Sequence, residues 1–264
     1  MKKLDVKIAL FLAAFCFVAG VLILPYQLKV FQTTSPAIYD EILESLPMSI
    51  SLVSIFVGLQ LFIVAFILSF IGIKLARKTD FSFAILESIF SKGKVVIDKK
   101  ATYFSIISGI FLGFIIAGSD RFYFQYQIPI LAENTPEFSL MGLMAGVFYG
   151  GVFEEILMRL FLMSLVVWLS MKILKRSKEQ ISSKVYWVAI ILTSLAFGVG
   201  HLPATEMMYG EVTNILLIRG LLLNGIGGLI FGYLYWKKGL EYAIVSHMFA
   251  HISMQLMFIP LFYM

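Results

Sequence analysis

The stretch GLMAGVFYGGVFEEILMR, residues 142–159, places two glutamates and an arginine inside an apolar run that extends from Ser139 to Met171. The run exceeds the ~20 residues that cross a bilayer, so it reads as a transmembrane helix. Charges at that depth are expensive, which marks them as functional. Gly142, Gly146 and Gly150 recur every four residues, a small-xxx-small row that admits another helix backbone, and Glu154 is the next member of the row. Glu154 is therefore expected to face protein. Glu155 lies about 100° further round the helix, with Arg159 as its i+4 neighbour. One carboxylate thus has a built-in cation and reads as structural. The other, Glu154, is desolvated and unpaired by its own helix, and is free for general-base work.

The rest of the chain supports a membrane setting. It has 264 residues, 60% of them hydrophobic and 14% charged, with a mean hydropathy of +0.92. That is more apolar surface than a soluble domain of this length can hide. The predicted fold is all-α, a polytopic transmembrane helix bundle of about seven spans, seven to eight in all. The spans run from about Val6 to Pro25, Met48 to Ile73, Tyr103 to Gly118, Ser139 to Met171, Val185 to Met208, Val212 to Trp236 and Ala243 to Tyr263.

Of the 21 basic residues, 17 fall on one side. They are Lys2, Lys3 and Lys7; Lys74, Arg77, Lys78, Lys92, Lys94, Lys99 and Lys100; Lys172, Lys175, Arg176, Lys178 and Lys184; and Lys237 and Lys238. The opposite loops hold Lys29 and Arg121, so the positive-inside rule places the N-terminus in the cytoplasm and the C-terminus outside. The net charge of +5 reflects this topology, and nucleic acid is not an expected partner.

The first span is read as a retained helix, because no small-x-small cleavage site follows its apolar core. Cys16, the only cysteine, lies within it, which excludes an intrachain disulfide and points to a packed or lipid-facing thiol. Between the second and third spans, Phe81, Ile85, Leu86, Ile89 and Phe90 share one helical face, the pattern of a short helix on the cytoplasmic surface. The aromatic segment from Asp120 to Tyr126 is expected as an outer loop at headgroup level. Arg219 is expected to snorkel to the outer interface, and Gly220, Asn224, Gly228 and Gly232 to mark a packed helix face. The chain divides into N-terminal helices with the interfacial helix, residues 1–118, and a C-terminal core, residues 119–264.

All three histidines, His201, His247 and His251, lie in these spans. Counted back to the cytoplasmic lysines, their depths and that of Glu155 agree within about 12 Å, so side chains from three helices can converge near mid-membrane. Three imidazoles facing an acid at one depth read as a reaction site.

EEILMR (154–159) matches an EExxxR motif, FGVGH (197–201) an FxxxH motif, and His247 opens an HxxxN motif. In these, and in the glycine-rich helix from Asn224 that precedes the third, the chain resembles the CAAX-protease and bacteriocin-processing family, also called type II CAAX endopeptidases or abortive-infection proteins. The resemblance covers about Met141 to Ile252. It implies an intramembrane endopeptidase in which Glu154 and His201 activate the attacking water. Glu155 and Arg159 would brace the site and Phe197 would shield His201, while His247 and residue 251 would stabilise the oxyanion. The chain departs from the family pattern in carrying His251 where the motif has Asn; an imidazole N–H can donate as an amide does.

No cofactor is expected. The alternative is a zinc-dependent protease with Glu154, His201, His247 and His251 as ligands, although no HExxH is present. Two readings without proteolysis also stay open, a proton-coupled transporter and a non-catalytic bacteriocin-immunity protein. The expected partners are the lipid bilayer and a hydrophobic or lipidated peptide, in a bacterial plasma membrane, with the oligomeric state left open.

Overall fold

A computed structural model describes residues 2–263. Among the described residues the chain is helical and has no strand. Seven helices are long and apolar enough to cross a membrane: α1 (Lys3–Thr34), α2 (Ile50–Thr79), α3 (Lys99–Tyr126), α4 (Leu140–Ile173), α5 (Ser183–Tyr209), α6 (Asn214–Lys237) and α7 (Leu240–Tyr263).

Two of them are longer than their sequence signals. Helix α1 continues through Pro25. Proline removes one N–H donor, whereas ending the helix in an apolar setting would leave several backbone groups without partners. Helix α3 absorbs the aromatic segment expected as an outer loop, continuing to Phe122 and then a 3₁₀ turn over Phe124–Tyr126. Phe124 and Gln125 are buried there.

Helix packing follows the small residues. Gly20 of α1 lies against the backbone of Gly58 in α2, Gly109 of α3 against Ser246 in α7, and Gly228 of α6 against Ser194 in α5; a methyl group at any of these glycines would collide with its neighbour. One hydrophobic core joins Ile8, Ala65 and Ile73 of the first two helices to Ile156, Leu160, Leu234 and Ala243 of the last four. The first three helices therefore pack into the same core as the C-terminal part. Cys16 is buried in it. The outer side of α2 is the reverse: Leu52, Phe56, Leu59, Ile63 and Ile67 form an exposed apolar stripe suited to lipid.

The short helix expected near the surface spans Ala84–Ser91. Asp80 ends α2 in the left-handed conformation, φ 66°. Phe81, Phe83 and Leu86 then turn inward and are buried, and the Leu86 N–H donates to Glu241 Oε1 at 2.8 Å. The helix is thus pinned to the bundle, with Ile89 left exposed on its outer side. Acids offset the basic residues at this end: Asp5 and Glu87 lie 2.7 and 2.5 Å from Arg77, and Asp98 lies 3.1 Å from Lys238. Arg219 is ion-paired between two helices. Its Nε and Nη2 donate to Asp120 Oδ1 and Oδ2, both at 2.6 Å, which ties α6 to α3.

Candidate active site

Helix α4 carries the acids on a widened winding. Gly146–Glu154 and Ile156–Met163 close i→i+5 hydrogen bonds, a π-helical path of the kind that recurs at functional sites. The glycine row is occupied, but not by another helix backbone as its spacing suggested. Gly142 lies under the Tyr26 ring of α1, and Gly146 and Gly150 lie under the imidazole of His251 from α7. A side chain at either of the last two would occupy the space of that ring.

Glu155 and Arg159 are fully buried. The Arg159 Nη1 lies 3.3 Å from Glu155 Oε1, and its Nη2 donates to the Gly228 carbonyl of α6 at 3.1 Å. The guanidinium lies 5.1 and 5.3 Å from the ring centres of Phe197 and Phe231, within cation–π range of both. Arg159 thereby joins α4, α5 and α6. Glu155 Oε1 has a second partner, His247 Nδ1 at 2.8 Å. As a carboxylate Glu155 only accepts, and in that state His247 Nδ1 carries the hydrogen. Nε2 of the same ring turns to Glu154 Oε2, 3.7 Å away.

His201 repeats this arrangement with a different anchor. It sits where α5 breaks, between the segments Ser183–Gly200 and Leu202–Tyr209. Its Nδ1 donates to the Phe197 carbonyl one turn back, at 2.8 Å, because a carbonyl can only accept. That directs Nε2 to Glu154 Oε1, again 3.7 Å away. The Phe197 ring stands edge-on to the imidazole, 4.7 Å between centres.

Glu154, His201 and His247 are therefore brought together, with Glu154 between the Nε2 atoms of two imidazoles. Both gaps exceed a direct hydrogen bond and are of a size to ask for a water. His251 joins through stacking: its ring lies parallel to His247 at 5.2 Å, and Phe231 covers the other face of His247 at 4.3 Å. Sequence reasoning missed Phe231. It holds both His247 and Arg159, but nothing in its local pattern distinguishes it from a packing residue.

Glu154, His201, His247 and His251 line a cavity of about 440 Å³. Its other walls include Tyr26 and Gln27 of α1, Asn224 of α6 and Gln255 of α7. Asn224 was expected on a packed face. Gly228 and Gly232 do pack, against Ser194 and Ile190 of α5, but Asn224 faces the cavity. Among the described residues no three His, Cys, Asp or Glu side chains gather into a group that could hold a metal ion.

No curated protein and no solved structure matches the chain. A family model does match, over residues 136–253, with the description type II CAAX prenyl endopeptidase Rce1-like. Every residue that the three motifs singled out lies within that match, from Glu154 to His251. The C-terminal region of this integral membrane protein is thus similar to the Rce1-like, type II CAAX prenyl endopeptidases.

Proposed function

We propose that the protein is a glutamate-dependent intramembrane endopeptidase, which hydrolyses a peptide bond in a hydrophobic or lipidated peptide. The observation that carries this reading is the placement of Glu154 at 3.7 Å from Nε2 of both His201 and His247, on the wall of a largely apolar cavity. With Nδ1 of each ring engaged, the neutral imidazoles offer lone pairs at Nε2 beside the Glu154 carboxylate. A water drawn to this point is polarised by acceptors alone, which favours loss of its proton.

In the proposed reaction the water oxygen attacks the carbonyl carbon while its proton passes to Glu154, with His201 orienting the water. The carbonyl oxygen becomes an oxyanion, for which the His251 ring offers an N–H. His247, with its Nδ1–H held by Glu155, keeps Nε2 as an acceptor towards the water, so the oxyanion donor in this step is His251. Donors aimed at developing charge act most strongly where water is scarce. Collapse of the intermediate breaks the C–N bond, and the proton on Glu154 goes to the departing amine. Arg159 keeps Glu155 in place.

Ile23, Leu112, Ile116 and Leu223 on the cavity wall suit an apolar chain, and the matched description names a prenyl CAAX substrate for that family. The test is cleavage by protein in proteoliposomes of a pool of synthetic apolar peptides, half of them farnesylated on cysteine, read by mass spectrometry. Products are expected from wild type and not from Glu154→Gln. Equal products from both would overturn the proposal.

A further inference from the structure

Gln255, on α7 two turns beyond His247 and one beyond His251, is only 7% exposed and lines the same cavity. Its Oε1 accepts from the backbone N–H of Ser139, at the entry to α4, at 3.0 Å. A backbone N–H can only donate, so the atom facing it must be the amide oxygen, and this fixes the orientation of the carboxamide. The NH2 group then points elsewhere. Among the described residues no acceptor takes a hydrogen bond from it. The residue is buried as a whole and lines the cavity, so the NH2 donors are left to whatever occupies that space.

A second amide on the wall has the opposite polarity. Asn224 Nδ2 donates to the Gly220 carbonyl at 2.9 Å, which leaves Asn224 Oδ1 as an acceptor on the cavity side. Neither group carries charge, so an ionic ligand is not called for. One facing donor and one facing acceptor are what the main chain of an extended peptide can satisfy, through a carbonyl and an N–H.

We propose that Gln255 is a substrate-binding residue, whose NH2 donates to a main-chain carbonyl of the peptide beside the scissile bond, with Asn224 accepting from a main-chain N–H. The inference rests on the peptidase reading above. It makes side-chain specificity secondary at this position, because a backbone carbonyl is common to every peptide.

The experiment uses the full-length protein in proteoliposomes and the most rapidly cleaved peptide of the farnesylated and unmodified pool. Gln255→Met removes both the donors and the Ser139 contact; Gln255→Glu keeps an acceptor for Ser139 but replaces the NH2. Both are expected to raise KM roughly tenfold with little change in kcat, the scale of one hydrogen bond to a buried group. The peptide is then remade with each non-scissile amide in turn replaced by an alkene isostere. One position is expected where wild type loses roughly tenfold in kcat/KM and Gln255→Met loses almost nothing, the non-additivity of a direct contact.

A Gln255→Glu protein with unchanged KM, or losses that add at every position, would overturn the inference and show that Gln255 only caps Ser139. In that case products would still depend on Glu154, so the peptidase reading would stand. Absence of any Glu154-dependent product would overturn both.

Discussion

Replacing the Glu154 carboxyl by an amide leaves the ion pair at Glu155 intact, so the two neighbouring acids should fail in different ways. Glu154→Gln is expected to insert and fold normally and to lose at least ~10²-fold in cleavage rate. Glu155→Ala or Arg159→Ala should instead lower the yield of folded protein. Each leaves a fully buried partner uncompensated, at a cost of about 3–5 kcal/mol. Size-exclusion yield and thermal melting in detergent, measured beside turnover, separate the two classes. The Glu155–Arg159 pair itself was legible in the sequence, because its i+4 spacing assigns the cation. What the sequence hid was the third partner, since the His247 contact to Glu155 crosses from α7 to α4 and no local spacing encodes it. His251 gives a second test. If its N–H meets the oxyanion, His251→Asn should keep activity close to wild type, whereas His251→Ala should lose ~10²-fold. If the ring were instead a metal ligand, both changes would abolish activity, and metal analysis of the purified wild type would find zinc.

Helix α4 shows why an element can be located from sequence and still be misread in detail. Its apolar length, its glycines and its acids all marked a packed transmembrane helix, and the helix is there. The i→i+5 winding has no residue signature in this stretch, so the helical wheel that places every fourth residue on one row is only approximate here. The glycine row consequently received a ring in place of a backbone. The imidazole of His251 occupies the space over Gly146 and Gly150, so Gly150→Ala is expected to overpack the site at a cost of about 1–3 kcal/mol. Gly200→Ala, on the same cavity wall but with nothing near its missing methyl, is the control and should melt like wild type. The double change Gly150→Ala with His251→Ala should recover most of the lost melting temperature, because it removes the colliding ring. Additive losses would mean that the ring and the glycine do not share this space.

At the scale of the whole molecule the seven helices, their order and the crossing point of the three motif-bearing helices were legible, because apolar length is a constraint the membrane imposes on sequence directly. The cavity was not, since its walls come from every helix except α2 and include Tyr26 and Gln27, far outside the motifs. Orientation is a separate matter, which the fold leaves undetermined and the charges address. The ends of α2, α4 and α6 share one side with the start of α3, α5 and α7, and this is the side that gathers 17 of the 21 basic residues. Several of those are paired with acids there, as Lys238 is with Asp98, so the net field is weaker than the count. Acids contribute little to orientation, however, while lysine and arginine in short loops dominate it. A reporter fused after Lys178 or Lys237 is therefore expected to be cytoplasmic, and one placed in the loops at Glu133 or Glu211 external. The two sides must also alternate, so a cytoplasmic signal at both Lys178 and Glu211 would break the seven-span order itself. An external signal at Lys178 with a cytoplasmic one at Glu133 would keep that order and invert the molecule.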